Sequence, residues 1–162
     1  MGMSPAPTKE DIFLRGVLWA IVVVAWSSWL WRAYGNLTEI FEFKTKRSKT
    51  MAVAHHFIPF LNFIKPYEVF VEMWNLSAPP SHHQRRALLR FWWGAWLSCM
   101  FYFQYNSRFS AAMQDSISQT LLTVLDIGLF PAACALASCV IWSITQFQIK
   151  LGRHQEVARV LE

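Results

Sequence analysis

Residues 50–74, TMAVAHHFIPFLNFIKPYEVFVEMW, are apolar enough to enter a membrane, yet Pro59 and Pro66 interrupt them and Lys65, Glu68 and Glu72 charge them. Each proline removes a backbone donor and clashes with the turn before it, so no straight helix crosses here. Non-helical backbone at membrane depth must be sheltered by protein or water. The segment, taken to its polar end as 50–76, reads as a re-entrant or interfacial helical hairpin that leaves on the side it entered. Such a hairpin needs helices to lean on.

Three apolar runs supply them. The first, residues 12–31, is about the length that crosses a bilayer, with Arg15 in its first turn placed to snorkel. The second, 87–105, opens just after Arg85 and Arg86, and Arg90, Phe91, Trp92, Trp93 and Trp96 cover that end. The third, about 120–147, is followed by Lys150, Arg153 and Arg159. The expected fold is an all-α membrane protein: three transmembrane helices plus the Pro-broken hairpin. Residues 1–11 are expected to form a mobile tail, 12–149 a single membrane domain and 150–162 a cytoplasmic tail.

Charge sets the orientation. The chain carries 15 Lys and Arg against 10 Asp and Glu. If residues 50–76 begin and end on one side, all the cations but Lys9, Arg15 and Arg108 share that side. By the positive-inside rule it is cytoplasmic, which places the N-terminus outside and the C-terminus in the cytoplasm of a bacterial inner membrane. Cations set beside apolar runs, rather than gathered on a soluble face, argue against nucleic acid as a partner.

The first run does not read as a cleaved signal. No A-x-A-like site follows it, and Trp29, Trp31 and Arg32 end it as an interface anchor on a retained helix. Cys99, Cys134 and Cys139 fall in apolar runs without the paired spacing of a zinc site and read as small packing residues. Gly16, Ala20, Val23 and Ser27 recur at helical spacing in the first run. Gly128, Ala132, Ala135 and Cys139 do so in the third, and both stripes are expected to allow close helix packing. In the second arm of the hairpin, Pro66 suits a first helical turn. Tyr67, Phe70, Val71 and Trp74 share one face, with Glu68, Glu72 and Asn75 on the other, as an interfacial helix would have them.

The runs WLWRAYGNL (29–37), HHFIPFLNFIKPYEVFVEMWNLS (55–77) and FWWGAWL (91–97) resemble a family of small bacterial integral membrane proteins, classed as a domain of unknown function. Its members show a W-x-x-R-A-x-x-N stretch, a P-x-x-N-x-x-x-P stretch ending at a Trp, and a Trp-rich helix. Here these fall on Trp29, Arg32, Ala33 and Asn36, then on Pro59, Asn62, Pro66 and Trp74. The similarity covers about residues 25–147. Members carry one more apolar helix at the N-terminus, for which this chain has no room, so the resemblance implies an N-terminus on the opposite side. It implies a fold and no activity.

No P-loop, H-E-x-x-H, C-x-x-C or G-x-S-x-G motif is present, and no enzymatic activity is expected. Arg32, Asn36, Asn62, Lys65, Glu68, Glu72 and Arg90 form a candidate polar brace or headgroup site. Asn62 is placed to satisfy backbone freed by Pro59 and Pro66, Arg32 or Arg90 to pair with Glu68 or Glu72, and Glu72 to face solvent. Asp126, an acid inside the third run, is a candidate partner contact. His55, His56, His82 and His83 are the weaker metal candidates, since a site needs convergent ligands with oriented rings. The expected role is a non-catalytic accessory or structural subunit of a larger membrane complex, with lipids and other transmembrane subunits as partners and no cofactor. The alternatives are a protein binding lipid or a small ligand in a polar pocket on the inner face, and a haem or metal carrier using the histidines.

Overall fold

A computed structural model of the chain describes residues 8–79, 81, 86–109 and 116–161, and the regular structure among them is helical throughout. Helix α1 spans Lys9–Glu39. It starts at a capping box: Thr8 Oγ1 accepts from the Asp11 amide at 3.2 Å, and Asp11 Oδ2 accepts from the Thr8 amide at 2.9 Å. Two donors that a helix start leaves orphaned are thereby satisfied. The helix runs past the expected end at Trp31 because Leu30, Ala33, Tyr34 and Leu37 bury one continuous face.

Helix α2, Lys49–Ala54, is capped by Ser48. Pro59 then breaks the chain, and Phe60 reverses it at φ 65° before a single 3-10 turn, Leu61–Phe63. A residue with a Cβ pays about 1–2 kcal/mol for that left-handed geometry. Helix α3 spans Lys65–Ser77 with Pro66 in its first turn, where no backbone donor is missed. Helix α4 spans Ala87–Phe109 and helix α5 spans Ser116–Leu161, the latter 46 residues with Pro131 inside.

The long helices have a definite sense. Trp19 meets Phe130, Trp29 bonds Thr145 and Asn36 bonds Gln148, so α1 and α5 run the same way. Cys99 reaches the Leu129 carbonyl and Trp26 meets Trp92, so α4 runs against both. The end of α1, the start of α4 and the later part of α5 therefore lie at one end of the group. Residues 40–79 leave and return at that end.

The core sits there too, built around α3. Val69, Phe70 and Met73 are fully buried among Leu30, Tyr34, Leu37, Leu89, Trp92, Val140 and Ile144. Helix α3 is thus enclosed by α1, α4 and α5 on more than the one face expected. Glu72, expected on the solvent face, is only 8% exposed. The chain folds back over α3 at residues 45–47, and that cover makes the difference.

Away from this end α1 is bare, with residues 11–25 exposed. Helix α1 and the 128–161 portion of α5 are long and apolar enough to cross a membrane, and none of the apolar window of α1 is buried within the chain. A soluble core helix would be covered, whereas here the last turns of α1 are core and the rest shows its apolar residues. Helix α4 has the length, 23 residues, but not the apolarity of those two.

The expected packing stripes also point outward. Gly16, Ala20, Gly128, Ala132, Ala135 and Cys139 are exposed, and Ser27 is half-buried with its Oγ unpaired. A Cβ added at Gly16 or Gly128 would meet nothing within 4 Å. Within the chain α5 packs instead through Ala133, Val140, Ile144 and Gln148, a neighbouring stripe of larger residues. It also continues as helix through Leu161, so most of the expected tail is helix.

Candidate functional site

Where the hairpin closes the helix group, an aromatic cavity of about 470 Å³ remains. That lies within the range of small-molecule sites. Its walls come from four elements. Helix α1 gives Trp19 and Trp26, α4 gives Trp92, Trp93 and Trp96, and α5 gives Phe130, Ala133 and Ala137. The hairpin supplies His56, Phe57, Asn62 and Pro66. No Asp, Glu, Lys or Arg lines it among the described residues.

The cavity is graded along its length. Trp19 and Trp26 are seven residues apart on α1, about 10 Å along the axis. Trp92 and Met100 on α4 are separated by a similar rise. The Trp19, Met100 and Phe130 end is apolar. His56, Asn62 and Trp92 line the hairpin end, and each holds one buried polar atom without a hydrogen-bond partner, as do Ser27, His55 and Asn75, which do not line the cavity. Trp92 is only 2% exposed. An unpaired buried polar group costs about 1–3 kcal/mol. Ring contacts compensate in part: the His56 ring meets Trp26 and Phe70 edge-on, and Trp92 lies 4.6 Å from Phe70 between centroids. Such contacts are weaker than a full hydrogen bond.

The protonation of His56 follows from its neighbour. Its Nδ1 lies 3.2 Å from the Ala52 carbonyl oxygen. A carbonyl only accepts, so Nδ1 carries the proton and Nε2 of the neutral ring is a bare acceptor. Burial pushes the pKa of His56 below its ordinary value, against the smaller upward pull of the Ala52 and Val53 carbonyls.

Beneath the cavity a second polar group clamps the hairpin. Glu72 accepts from the Tyr34 hydroxyl at 2.9 Å, from the Lys46 amide at 2.5 Å and from Arg47 at 3.2 Å. Arg47 also pairs with Glu68, which Lys65 holds at 3.0 Å. The Lys65 hydrogen bond, with Arg47 nearby, holds the Glu68 carboxyl below the usual carboxylate range. These contacts tie residues 45–47 and α1 to α3. On the other side of the core, Gln148 donates to the Ala33 carbonyl at 2.8 Å and accepts from Asn36 at 3.2 Å. It joins α1 to α5 and reaches Ser77 of α3 at 3.4 Å.

The predicted set divides accordingly. Lys65, Glu68 and Glu72 come together, and Asn36 joins a separate brace through Gln148. Arg32 and Arg90 are exposed and pair with neither glutamate; the cation that does so is Arg47, from a stretch read only as a basic loop. Asn62 does not brace the broken backbone, since its Oδ1 is unpaired. The Trp93 indole donates to the Phe63 carbonyl at 3.2 Å and does that work. His55 is buried beside His56 but does not line the cavity. His82, His83 and Arg85, and the side chain of Asp126, lie outside the described residues. Among the described residues no three His, Cys, Asp or Glu side chains converge.

Tyr34, Arg47, Trp92 and Gln148 were missed as site residues. Gln148 had a signal, being a polar residue at the edge of an apolar run, where side chains hydrogen-bond across helices. Arg47 had none beyond its charge, because its partners are set by the fold of residues 40–48.

No curated protein and no solved structure matches the chain. The three runs rich in Trp, Pro and Asn fall in a stretch that does match a family: residues 13–147 fit the one described as Domain of unknown function (DUF4328), and the chain belongs to it.

Proposed function

We propose that this is a multi-pass membrane protein that takes an amphipathic small molecule into the aromatic cavity, polar head towards the hairpin and apolar body towards Trp19 and Phe130. The observation that carries the reading is the cavity of about 470 Å³, aromatic along most of its length and lined by His56 and Asn62 at the hairpin end, with no charged side chain among the described residues. In this reading α1, α4 and α5 all cross, with the N-terminus outside and the hairpin on the cytoplasmic face of a bacterial inner membrane. The opposed sense of α4 and the charge distribution support that orientation.

The test uses tryptophan emission. Five tryptophans line the cavity, so an amphiphile brominated in its chain should quench them saturably in detergent. Ala137→Phe, which fills the space, should abolish the saturable part. Quenching that rises linearly with amphiphile, alike in both proteins, would contradict the reading.

The outward stripe of Gly128, Ala132, Ala135 and Cys139 favours a second reading, a non-catalytic accessory subunit docked on a larger membrane complex through that face. Stoichiometric co-purification with large subunits, lost in Ala132→Leu, would support it.

A further inference from the structure

We propose that the turn at residues 57–64 is a lipid anchor, seated at the boundary between head groups and acyl chains in the leaflet on the hairpin side. This rests on the membrane part of the reading above and does not need the cavity to hold a ligand. The turn is apolar where it shows. Phe60 is 84% exposed, Ile64 61% and Phe57 58%, with Ile58 and Leu61 exposed beside them. No Asp, Glu, Lys or Arg falls between His56 and Lys65. Phe60 also holds φ 65°, so the chain accepts left-handed geometry at a phenylalanine it leaves uncovered. A patch of this kind marks a surface that something apolar covers. It is not the surface that helical spacing suggests, since Phe70 and Trp74 of α3 are in the core.

Depth and charge say what covers it. The His56 ring meets Trp26, five residues before the apolar run of α1 gives way to Arg32, about 7.5 Å along the axis. On α4, the Phe63 carbonyl accepts from Trp93 and the Phe63 ring stacks on Phe101. Both helices therefore hold the turn inward of their basic ends. Arg90 is exposed one turn nearer the start of α4 than Trp93, on the outer side of the turn. Apolar side chains inside and a cation outside follow the order of a leaflet, with its phosphates outermost. Interfacial elements seat apolar groups about 5–10 Å into that boundary. The backbone suits the same depth. The amides of Phe57, Leu61, Asn62, Phe63 and Ile64 donate to carbonyls of the hairpin itself, and Pro59 has none to satisfy. Head groups and water reach the remaining polar groups at the boundary, whereas the hydrocarbon centre would strand them.

The experiment places a nitroxide on Phe60→Cys or Ile64→Cys in the full chain, with Cys99, Cys134 and Cys139 changed to alanine, in vesicles of phosphatidylcholine and phosphatidylglycerol. Ile21→Cys, on the exposed run of α1, is the control. Collisions with oxygen, which concentrates in lipid, are compared with collisions with a nickel chelate, which stays in water. Both turn labels should favour oxygen severalfold and lie shallower than the control. Where the alanine background folds poorly, the native thiols stay and each variant is read as its difference from the labelled parent. Turn labels open to the nickel chelate, with the control sheltered, would overturn the anchor and leave the membrane reading standing. Turn labels that neither reagent reaches would overturn it too, because protein would then cover the turn. A control open to the nickel chelate would overturn both.

Discussion

At the scale of single residues, Glu72 and Asn62 exchange the roles their sequence suggests. Helical spacing puts Glu72 opposite the apolar face and therefore in water. In the fold it is the anchor of the clamp, held by Tyr34, Lys46 and Arg47. Removing the charge from a buried, triply bonded carboxylate should cost about 2 kcal/mol. Glu72→Gln is thus expected to lower the melting temperature in detergent and to free residues 45–47 for proteolysis. Asn62→Leu should leave stability within about 0.5 kcal/mol or raise it, because an unpaired buried oxygen is replaced by an apolar group. Gln148→Leu leaves the Ala33 carbonyl and Asn36 without their partner and should cost about 2 kcal/mol. Thermal unfolding of the three variants side by side checks all of this. The residue types of the brace were legible, since Lys65, Glu68 and Glu72 announce a polar patch. Their partners were not, because Arg47 and Tyr34 are 25 and 38 positions from Glu72, and only the fold brings them together.

At the scale of elements, the broken hairpin was the most legible feature. Pro59 and Pro66 stand at the two joints of the structure, after α2 and in the first turn of α3. The small-residue stripes lie on exposed faces of α1 and α5, not against neighbours within the chain. Small side chains permit close approach and cannot say whether the neighbour is in the same chain. Ala132→Leu should accordingly change the stability of the isolated protein by less than about 0.5 kcal/mol. Ile144→Val, on the buried stripe, should cost about 1 kcal/mol. The hairpin also predicts a pH dependence. Burial pushes the pKa values of His55 and His56 below the ordinary 6.5, with Arg47 and Lys65 adding to the shift at His55 and Glu68 opposing it. Below 6.5 the unfolded chain then binds protons that the folded one does not. Stability from this source is complete above that value and is lost as pH falls through the window beneath it. Glu68, lowered from 4.5, loses its contribution only at still lower pH. Melting temperature should therefore fall as pH drops below about 6.5, and His55→Phe with His56→Phe should flatten that part of the profile.

At the scale of the whole molecule, apolar length located two of the long helices, α1 and α5, before any contact was known. Parallel α1 and α5 with α4 opposed agree with the charge asymmetry. The cavity was invisible at that stage, because it is a gap between side chains of four elements and no local pattern encodes a gap. Reporter fusions at Glu162 and after Ser110 should report cytoplasm and exterior respectively, and a cytoplasmic Ser110 would overturn the proposed orientation. The account depends most on the cavity holding a molecule. Native mass spectrometry of the protein extracted gently from its own membrane addresses that directly. The parent should fly with one bound amphiphile of a defined mass, and Ala137→Phe, equally folded, should fly without it. A parent that appears only at its bare mass, or a variant that keeps the same adduct, would contradict the account.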